Sequence, residues 1–219
     1  APPRAGSRTP ILVAAEFDEC AFTVDTERAL AGELMVDGAG EDATRRAREA
    51  ALGKLRMKLA DAIAALDTAG AALDDGFVPF AEGCCIHGVS LLILSRGYKE
   101  LIRANLRRAG LGHVQVLANE LLIGPDGQWR ACFRDNSASG HDKTRSLRRA
   151  LTEAPGARVV LVGGGGRADD EMALVESGAC DHVYARRGSP LARACDGAGV
   201  RTRAFEGWAA LGRELGVCP

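Results

Sequence analysis

Four short segments carry residue types that could bind an ion or an anionic ligand, or transfer a proton. Glu16 and Asp18 follow an apolar run two positions apart, so both carboxylates would lie on one side of a strand end. Paired carboxylates in this arrangement can hold a hard cation or transfer a proton. Ser95 follows a second apolar run, and Lys143 opens a helical stretch. A hydroxyl and an ammonium group at those places could contact an anion.

The fourth segment is a glycine run that leads into acids. Residues 163–166 are all glycine, and Asp169 and Asp170 follow shortly after them. Glycines allow a ligand to approach the backbone closely, and the acids supply further carboxylates. Taken singly, each segment also has an ordinary structural explanation, such as a helix cap or a flexible turn. The evidence for a site comes from all four together.

The elements that must position these segments alternate between short apolar runs and helical stretches. This alternation predicts a parallel sheet flanked by helices, a Rossmann-like α/β fold. Ligands bind such sheets at the carboxyl ends of the strands, which is where the segments at Glu16, Ser95 and the glycine run fall. The predicted strands cover 11–15, 90–94, 114–117, 159–162 and 182–185, and the predicted helices cover 99–109, 143–151, 170–176, 191–195 and 208–215.

Two stretches depart from the alternation. Residues 26–72 repeat apolar positions at spacings of three and four, which predicts a helical insert over the strand ends. Residues 121–133 carry the turn sequence Gly124-Pro125-Asp126-Gly127 between apolar runs, which predicts a β-hairpin. We therefore predict a core domain over 1–24 and 73–219 and a small helical cap insert over 25–72.

In this order, the segments resemble the motifs of haloacid dehalogenase superfamily phosphatases, in particular those acting on phosphocholine, phosphoethanolamine or methylthiopentenyl phosphates. The first motif of that branch reads Asp-Phe-Asp-Glu-Thr, where this chain has Glu16-Phe17-Asp18-Glu19-Cys20. The last motif reads Gly-Asp-Gly-Ala-Asn-Asp, against residues 165–170 here. Residues 185–191 resemble a Pro-Arg-Arg-Gly-x-Pro segment of the same branch. The resemblance extends from about residue 11 to residue 215.

The resemblance implies a role for each matching residue. In such enzymes the first Asp attacks phosphorus to form an aspartyl phosphate, and the second acts as general acid and base. The resemblance thus assigns the acid/base position to Asp18 and the phosphate-binding positions to Ser95 and Lys143. It assigns Mg2+ binding to Glu16, to the backbone carbonyl of Asp18 and to Asp170.

Two positions depart from the family pattern. Glu16 replaces the nucleophilic Asp, and misplacing a reacting group by about 1 Å can cost on the order of a hundredfold in rate. Gly166 replaces the main metal-binding Asp, which weakens the Mg2+ site because such sites depend on their carboxylates. We predict a pseudoenzyme, non-catalytic or weakly active, that serves as a binding or structural subunit. The alternative is an active Mg2+-dependent phosphomonoesterase with an acyl-phosphate intermediate, in which Asp169 and Asp170 help to rebuild the metal site.

Composition sets the remaining expectations. The 219 residues carry 28 basic and 29 acidic side chains, a net charge of −1, so no overall field attracts nucleic acid. No apolar run approaches the roughly 18 residues of a membrane span. Seven cysteines without a C-x-x-C pair favour a reducing compartment. We expect the cytoplasm, or an organellar matrix or stroma if the N-terminus is processed. The expected partners are a small phosphorylated ligand and other proteins of an assembly.

Three other interpretations are weaker. Residues 163–168 fit the spacing of a dinucleotide-binding fingerprint, but Asp169 and Asp170 would repel a pyrophosphate. Residues 84–87, Cys-Cys-Ile-His, are expected to end a helix rather than to bind a metal, with Ile86 in the core. The basic residues of the insert alternate with acids and lack aromatic neighbours, which favours a solvated face over RNA binding.

Overall fold

The computed structural model describes residues 9–32, 41–137, 140–164 and 168–219. Within them, a seven-stranded sheet has the order β4-β3-β2-β1-β5-β6-β7. All neighbouring strands are parallel except the antiparallel pair β3–β4. The predicted Rossmann-like α/β fold is therefore confirmed. The strands are β1 (Ile11–Ala15), β2 (Ser90–Tyr98), β3 (Gln115–Ile123), β4 (Trp129–Cys132), β5 (Arg158–Gly163), β6 (His182–Ala185) and β7 (Arg203–Ala204).

Helices cover both faces of the sheet. Alternate residues of β1 point into two separate apolar clusters, with Val13 and Ala15 in one and Leu12 and Ala14 in the other. A strand buried on both faces needs an uninterrupted apolar sequence, which β1 has. The helices are α1 (Thr26–Ala31), α2 (Glu41–Leu52), α3 (Leu59–Thr68), α4 (Phe77–His87), α5 (Lys99–Arg108), α6 (Lys143–Glu153), α7 (Ala168–Glu176), α8 (Pro190–Gly197) and α9 (Trp208–Leu215).

The first strand lies at the centre of the sheet and sets the position of the first motif. Ala15, its last residue, lies opposite Ile93 of β2 and Val162 of β5. The backbone N–H of Glu16 then donates to the carbonyl of Val162 at 3.0 Å. The acidic segment therefore leaves the sheet between the carboxyl ends of β2 and β5.

The second strand is longer than predicted. It continues to Tyr98, with an irregularity in its pairing between Leu94 and Tyr98, and α5 begins directly at Lys99. Ser95 therefore lies within the end of a strand and not at a helix N-terminus. The bulge, rather than a helix cap, orients this segment.

Three further expectations have clear outcomes. The hairpin is confirmed, because Ile123 pairs with Trp129 across the predicted turn. In the part of 26–72 that the structure describes, the predicted helical stretch forms the helices α1, α2 and α3. The placement of Ile86 in the core was wrong, since its exposed fraction is 78%. Ile86 lies on the outer side of the last turn of α4, whereas Cys84 in the same turn is buried.

Among the described residues, no helix combines the length and the apolar character needed to cross a bilayer.

Candidate functional site

A buried lysine connects the end of β1 with α7. Lys143 is the first residue of α6, whose N-cap is Asp142, and only 4% of Lys143 is exposed. Its ammonium group forms an ion pair with the carboxylate of Glu16. The same Nζ atom lies 2.5 Å from Oε1 of Glu171, which is itself 3% exposed. Lys143 is thus held between Glu16, whose side chain is 11% exposed, and the buried Glu171.

The charges in this cluster are strongly coupled. Burial alone would raise the pKa of Glu16, but the Lys143 ammonium and hydrogen bonds, including one with Ser95, outweigh burial and lower it. Burial raises the pKa of Glu171, and the neighbouring Glu16 carboxylate adds to that rise. Burial opposes the charge of Lys143, yet the two carboxylates raise its pKa. Glu16 and Lys143 therefore stay ionised, and Glu171 is the member that takes up a proton first as pH falls.

Asp18 and Ser95 lie together next to Gly97. The backbone N–H of Thr26 donates to Oδ1 of Asp18 at 2.9 Å. The other carboxylate oxygen covers Gly97, where a β-carbon would lie 2.9 Å from Oδ2 of Asp18 and 3.3 Å from Oγ of Ser95. Burial, together with the nearby Asp25 carboxylate, raises the pKa of Asp18 well above its usual range. A carboxyl group with a raised pKa holds its proton more strongly, which suits a general acid.

The acid of the last motif is bound by an arginine. Nε of Arg96 lies 2.6 Å from Oδ2 of Asp170, with both side chains mostly buried. The backbone carbonyl of Arg96 accepts hydrogen bonds from Arg48 of α2 at 2.9 Å and from Asn119 of β3 at 2.6 Å. These contacts fix the end of β2 that carries Arg96, so its guanidinium group neutralises Asp170 in a defined position.

A buried histidine contacts the backbone carbonyl of Ser95. Nδ1 of His141 lies 2.7 Å from the carbonyl oxygen of Ser95, and Nε2 lies 2.8 Å from Oγ of Ser146. Burial lowers the pKa of His141, although its contact with the Ser95 carbonyl opposes this shift. The charged groups that also act on its pKa are Lys143, Arg134 and Asp135. His141 therefore favours its neutral form in the folded protein.

The structure brings together four of the residues singled out by sequence, namely Glu16, Asp18, Ser95 and Lys143. Asp170 stands beside them but is bound to Arg96. Gly166, the other position that departs from the family pattern, lies outside the described residues.

Sequence reasoning missed two residues of the site, Glu171 and Arg96. The position of Glu171 had a detectable signal, because it lies three residues before the apolar Leu174 and so shares the buried face of α7. Arg96 had none, since its side-chain direction depends on the bulge in β2.

Comparison with solved structures defines the class of fold. A substrate-bound phosphoserine phosphatase superposes with a TM-score of 0.66 over 97% of this chain and 100% of that chain, at 14% identity. The chain therefore has the fold of the haloacid dehalogenase phosphatases. No protein-family model matches the chain.

Two curated relatives extend the comparison to sequence. "Pdp3-interacting factor 1" of Schizosaccharomyces pombe is 30% identical over 150 residues, which are 66% of this chain and 63% of that protein. "Polyol phosphate phosphatase PYP1" of Saccharomyces cerevisiae is 28% identical over 144 residues, 61% of this chain and 58% of that protein. The chain thus spans about three fifths of the length of the relatives it matches. The predicted resemblance to haloacid dehalogenase superfamily phosphatases is confirmed.

Proposed function

We propose that this chain is a phosphatase-like protein that binds a small phosphorylated ligand but hydrolyses it poorly or not at all. The observation that carries this proposal is the buried cluster in which Lys143 is held between Glu16 and Glu171. In this cluster the side chain at the nucleophile position is paired with the residue assigned to the phosphate. A carboxylate paired with an ammonium group is a weaker nucleophile than a free one.

The charge balance of the cluster also limits phosphate binding. Two carboxylates around one ammonium leave no spare positive charge when both are ionised. A phosphate dianion would then have to displace one carboxylate from Lys143. Glu171 is the one that leaves more easily, because burial and Glu16 already favour its protonated form. Protonation of Glu171 would free part of Lys143 for the ligand while Glu16 stays in place.

The described residues do not fit a Mg2+ ion. They contain no group of three or more His, Cys, Asp or Glu side chains arranged to hold a metal. Glu16 and Glu171 share Lys143, and Asp170 is bound to Arg96, so each carboxylate already has a cationic partner. The described residues at the end of β5, Gly163 and Gly164, have no side chain to add. Magnesium binding therefore requires at least one of these ion pairs to break.

Asp18, Ser95 and the proposed cap are suited to ligand recognition. The pKa of Asp18 is raised, and the Ser95 hydroxyl lies on the same side of Gly97 as the Asp18 carboxylate. We propose that residues 25–72 act as a cap over these groups. Arg48 of α2 supports this role, because it pairs with the buried Glu27 of α1 and donates to the carbonyl of Arg96. A cap that contacts the end of β2 would limit which phosphorylated molecules enter.

The relatives suggest ligand classes and partners. One is called a polyol phosphate phosphatase and the other an interacting factor, so a polyol phosphate is a suitable probe beside phosphocholine and phosphoethanolamine. The second name supports the expectation of a protein partner. Active Mg2+-dependent hydrolysis of phosphomonoesters is the second candidate function, favoured by the raised pKa of Asp18, which would let it protonate a leaving group.

The decisive experiment measures phosphate release by the purified chain in Mg2+. The panel contains phosphocholine, phosphoethanolamine, glycerol phosphate and p-nitrophenyl phosphate, and Asp18→Asn serves as the matched control. We expect both proteins to release phosphate at the same background rate. Mg2+-dependent turnover of any substrate that Asp18→Asn abolishes would overturn the proposal and establish the second candidate function.

A further inference from the structure

A separate cavity of about 570 Å³ lies between the β3–β4 hairpin and α6. None of Glu16, Asp18, Ser95 and Lys143 lines it. Cavities that bind small molecules usually measure roughly 300 to 1,000 Å³, so this one is large enough for a metabolite. Its walls include the buried Ala118 and the partly buried Phe133, which provide apolar contact area.

Arginines dominate the charge of the cavity. Arg145 and Arg149 are one helical turn apart on α6, so their side chains share one face of the helix. Among the described residues, neither guanidinium group has a hydrogen-bond or ion-pair partner. Arg134 approaches from the segment after β4, and its Nε donates to Ser146 at 3.3 Å. The cavity thus presents guanidinium groups from two sides.

The two acids in the cavity wall are already occupied elsewhere. Glu120 accepts a hydrogen bond from Lys99 at 3.0 Å. Asp135 accepts from the backbone N–H groups of Ser137 and Asp142, each at 2.9 Å. Neither acid is paired with a cavity arginine, so the arginine donors remain available to a ligand.

From this arrangement we infer that the cavity is a second binding site, for a small organic molecule that carries at least two anionic groups, such as a phosphorylated metabolite. Arginine suits this ligand, because its planar fork can donate two parallel hydrogen bonds to one phosphate or carboxylate. Three guanidinium groups from two sides could engage two such groups at once. Ala118 and Phe133 would contact the carbon skeleton between them.

Two buried hydrogen bonds link the cavity to the strand-end site, which is formed by Glu16, Asp18, Ser95 and Lys143. Ser146 lines the cavity and contacts His141 at 2.8 Å, and His141 contacts the carbonyl of Ser95 at 2.7 Å. These hydrogen bonds reach the backbone carbonyl of Ser95 and not its hydroxyl. Removing the Ser95 hydroxyl should therefore leave binding in the cavity unchanged, which separates this inference from the proposed function.

The test is a calorimetric titration of the full chain with pyrophosphate at low ionic strength. Arg145→Gln and Arg149→Gln each remove one guanidinium from the cavity, and Arg148→Gln removes a neighbouring exposed arginine that does not line it. Each guanidinium would donate directly to an anionic group, so each cavity variant should bind at least about tenfold more weakly. We expect Arg148→Gln to bind like the natural sequence, and Ser95→Ala to affect only pyrophosphate held at the strand-end site.

Three results would overturn the inference. The first is no saturable binding of pyrophosphate by the natural sequence. The second is an equal loss of affinity in Arg148→Gln, which would indicate only general attraction to a basic helix. The third is loss of binding in Ser95→Ala with no effect of the cavity variants, which would assign the anion to the strand-end site instead.

Discussion

Replacing Lys143 by Met tests whether the buried ion cluster holds the two glutamates in place. Methionine keeps most of the volume of the lysine side chain but removes its charge. Glu16 and Glu171 would then be two buried carboxylates with no ammonium between them. Breaking a buried ion pair by removing one partner costs about 3 to 5 kcal/mol in the free energy of unfolding.

Two further variants calibrate this cost. Lys99→Met removes a lysine whose partner, Glu120, is 52% exposed, and such surface pairs contribute about 0 to 1 kcal/mol. Glu171→Gln leaves the pair between Glu16 and Lys143 intact. Because the raised pKa of Glu171 already disfavours its charge, we expect Glu171→Gln to lie within about 1 kcal/mol of the natural sequence. We predict that Lys143→Met destabilises the protein far more than Lys99→Met or Glu171→Gln does.

The assay is urea unfolding at pH 7.5, followed by the fluorescence of the buried Trp129 and Trp208. Without the ammonium, the two glutamates have higher pKa values in the folded than in the unfolded chain. The cost of Lys143→Met should therefore shrink as pH falls and they take up protons. The reasoning is refuted if Lys143→Met costs no more than Lys99→Met, or if Glu171→Gln costs as much as Lys143→Met.

Two more predictions concern the loop before α6. In the unfolded chain His141 takes up a proton near pH 6.5, whereas burial lowers its pKa in the folded chain, so the free energy of unfolding should fall from pH 7 to pH 5. His141→Gln should flatten this slope and the exposed His113→Gln should not; equal slopes in urea titrations would contradict the assignment. Gly140 and Gly156 have φ of 78° and 74°, but a β-carbon at 140 would lie 2.3 Å from the Phe133 ring and one at 156 would meet nothing within 4 Å. Gly140→Ala should thus cost about 1 to 3 kcal/mol more than Gly156→Ala, and equal midpoints of thermal unfolding would show that the ring moves aside freely.

Much of the fold could be predicted because its signals are local. β1 can be predicted from its own residues, since a strand covered on both faces must be apolar along its whole length. The turn at residues 124–127 marks the hairpin in the same way. Ile86 shows the limit of this reasoning, because an apolar residue near a helix end can face either the core or solvent.

The sequence predicted which residues gather at the site but not which of them form ion pairs. The sequence placed Glu16, Asp18 and Ser95 at neighbouring strand ends, because parallel strands bring their carboxyl ends to one edge, and it placed Lys143 at a helix start. It did not indicate that Lys143 would be shared with Glu171. That contact depends on where α7 packs against α6, which is a tertiary property. The engagement of Asp170 by Arg96 likewise depends on the bulge in β2.

The most direct test of the central claim is a crystal structure of the protein grown with Mn2+, located by its anomalous scattering as a substitute for Mg2+. We predict no ion in the strand-end site, with Lys143 in contact with both Glu16 and Glu171. An ion bound between Glu16, the backbone carbonyl of Asp18 and Asp170, with Arg96 displaced, would contradict the account.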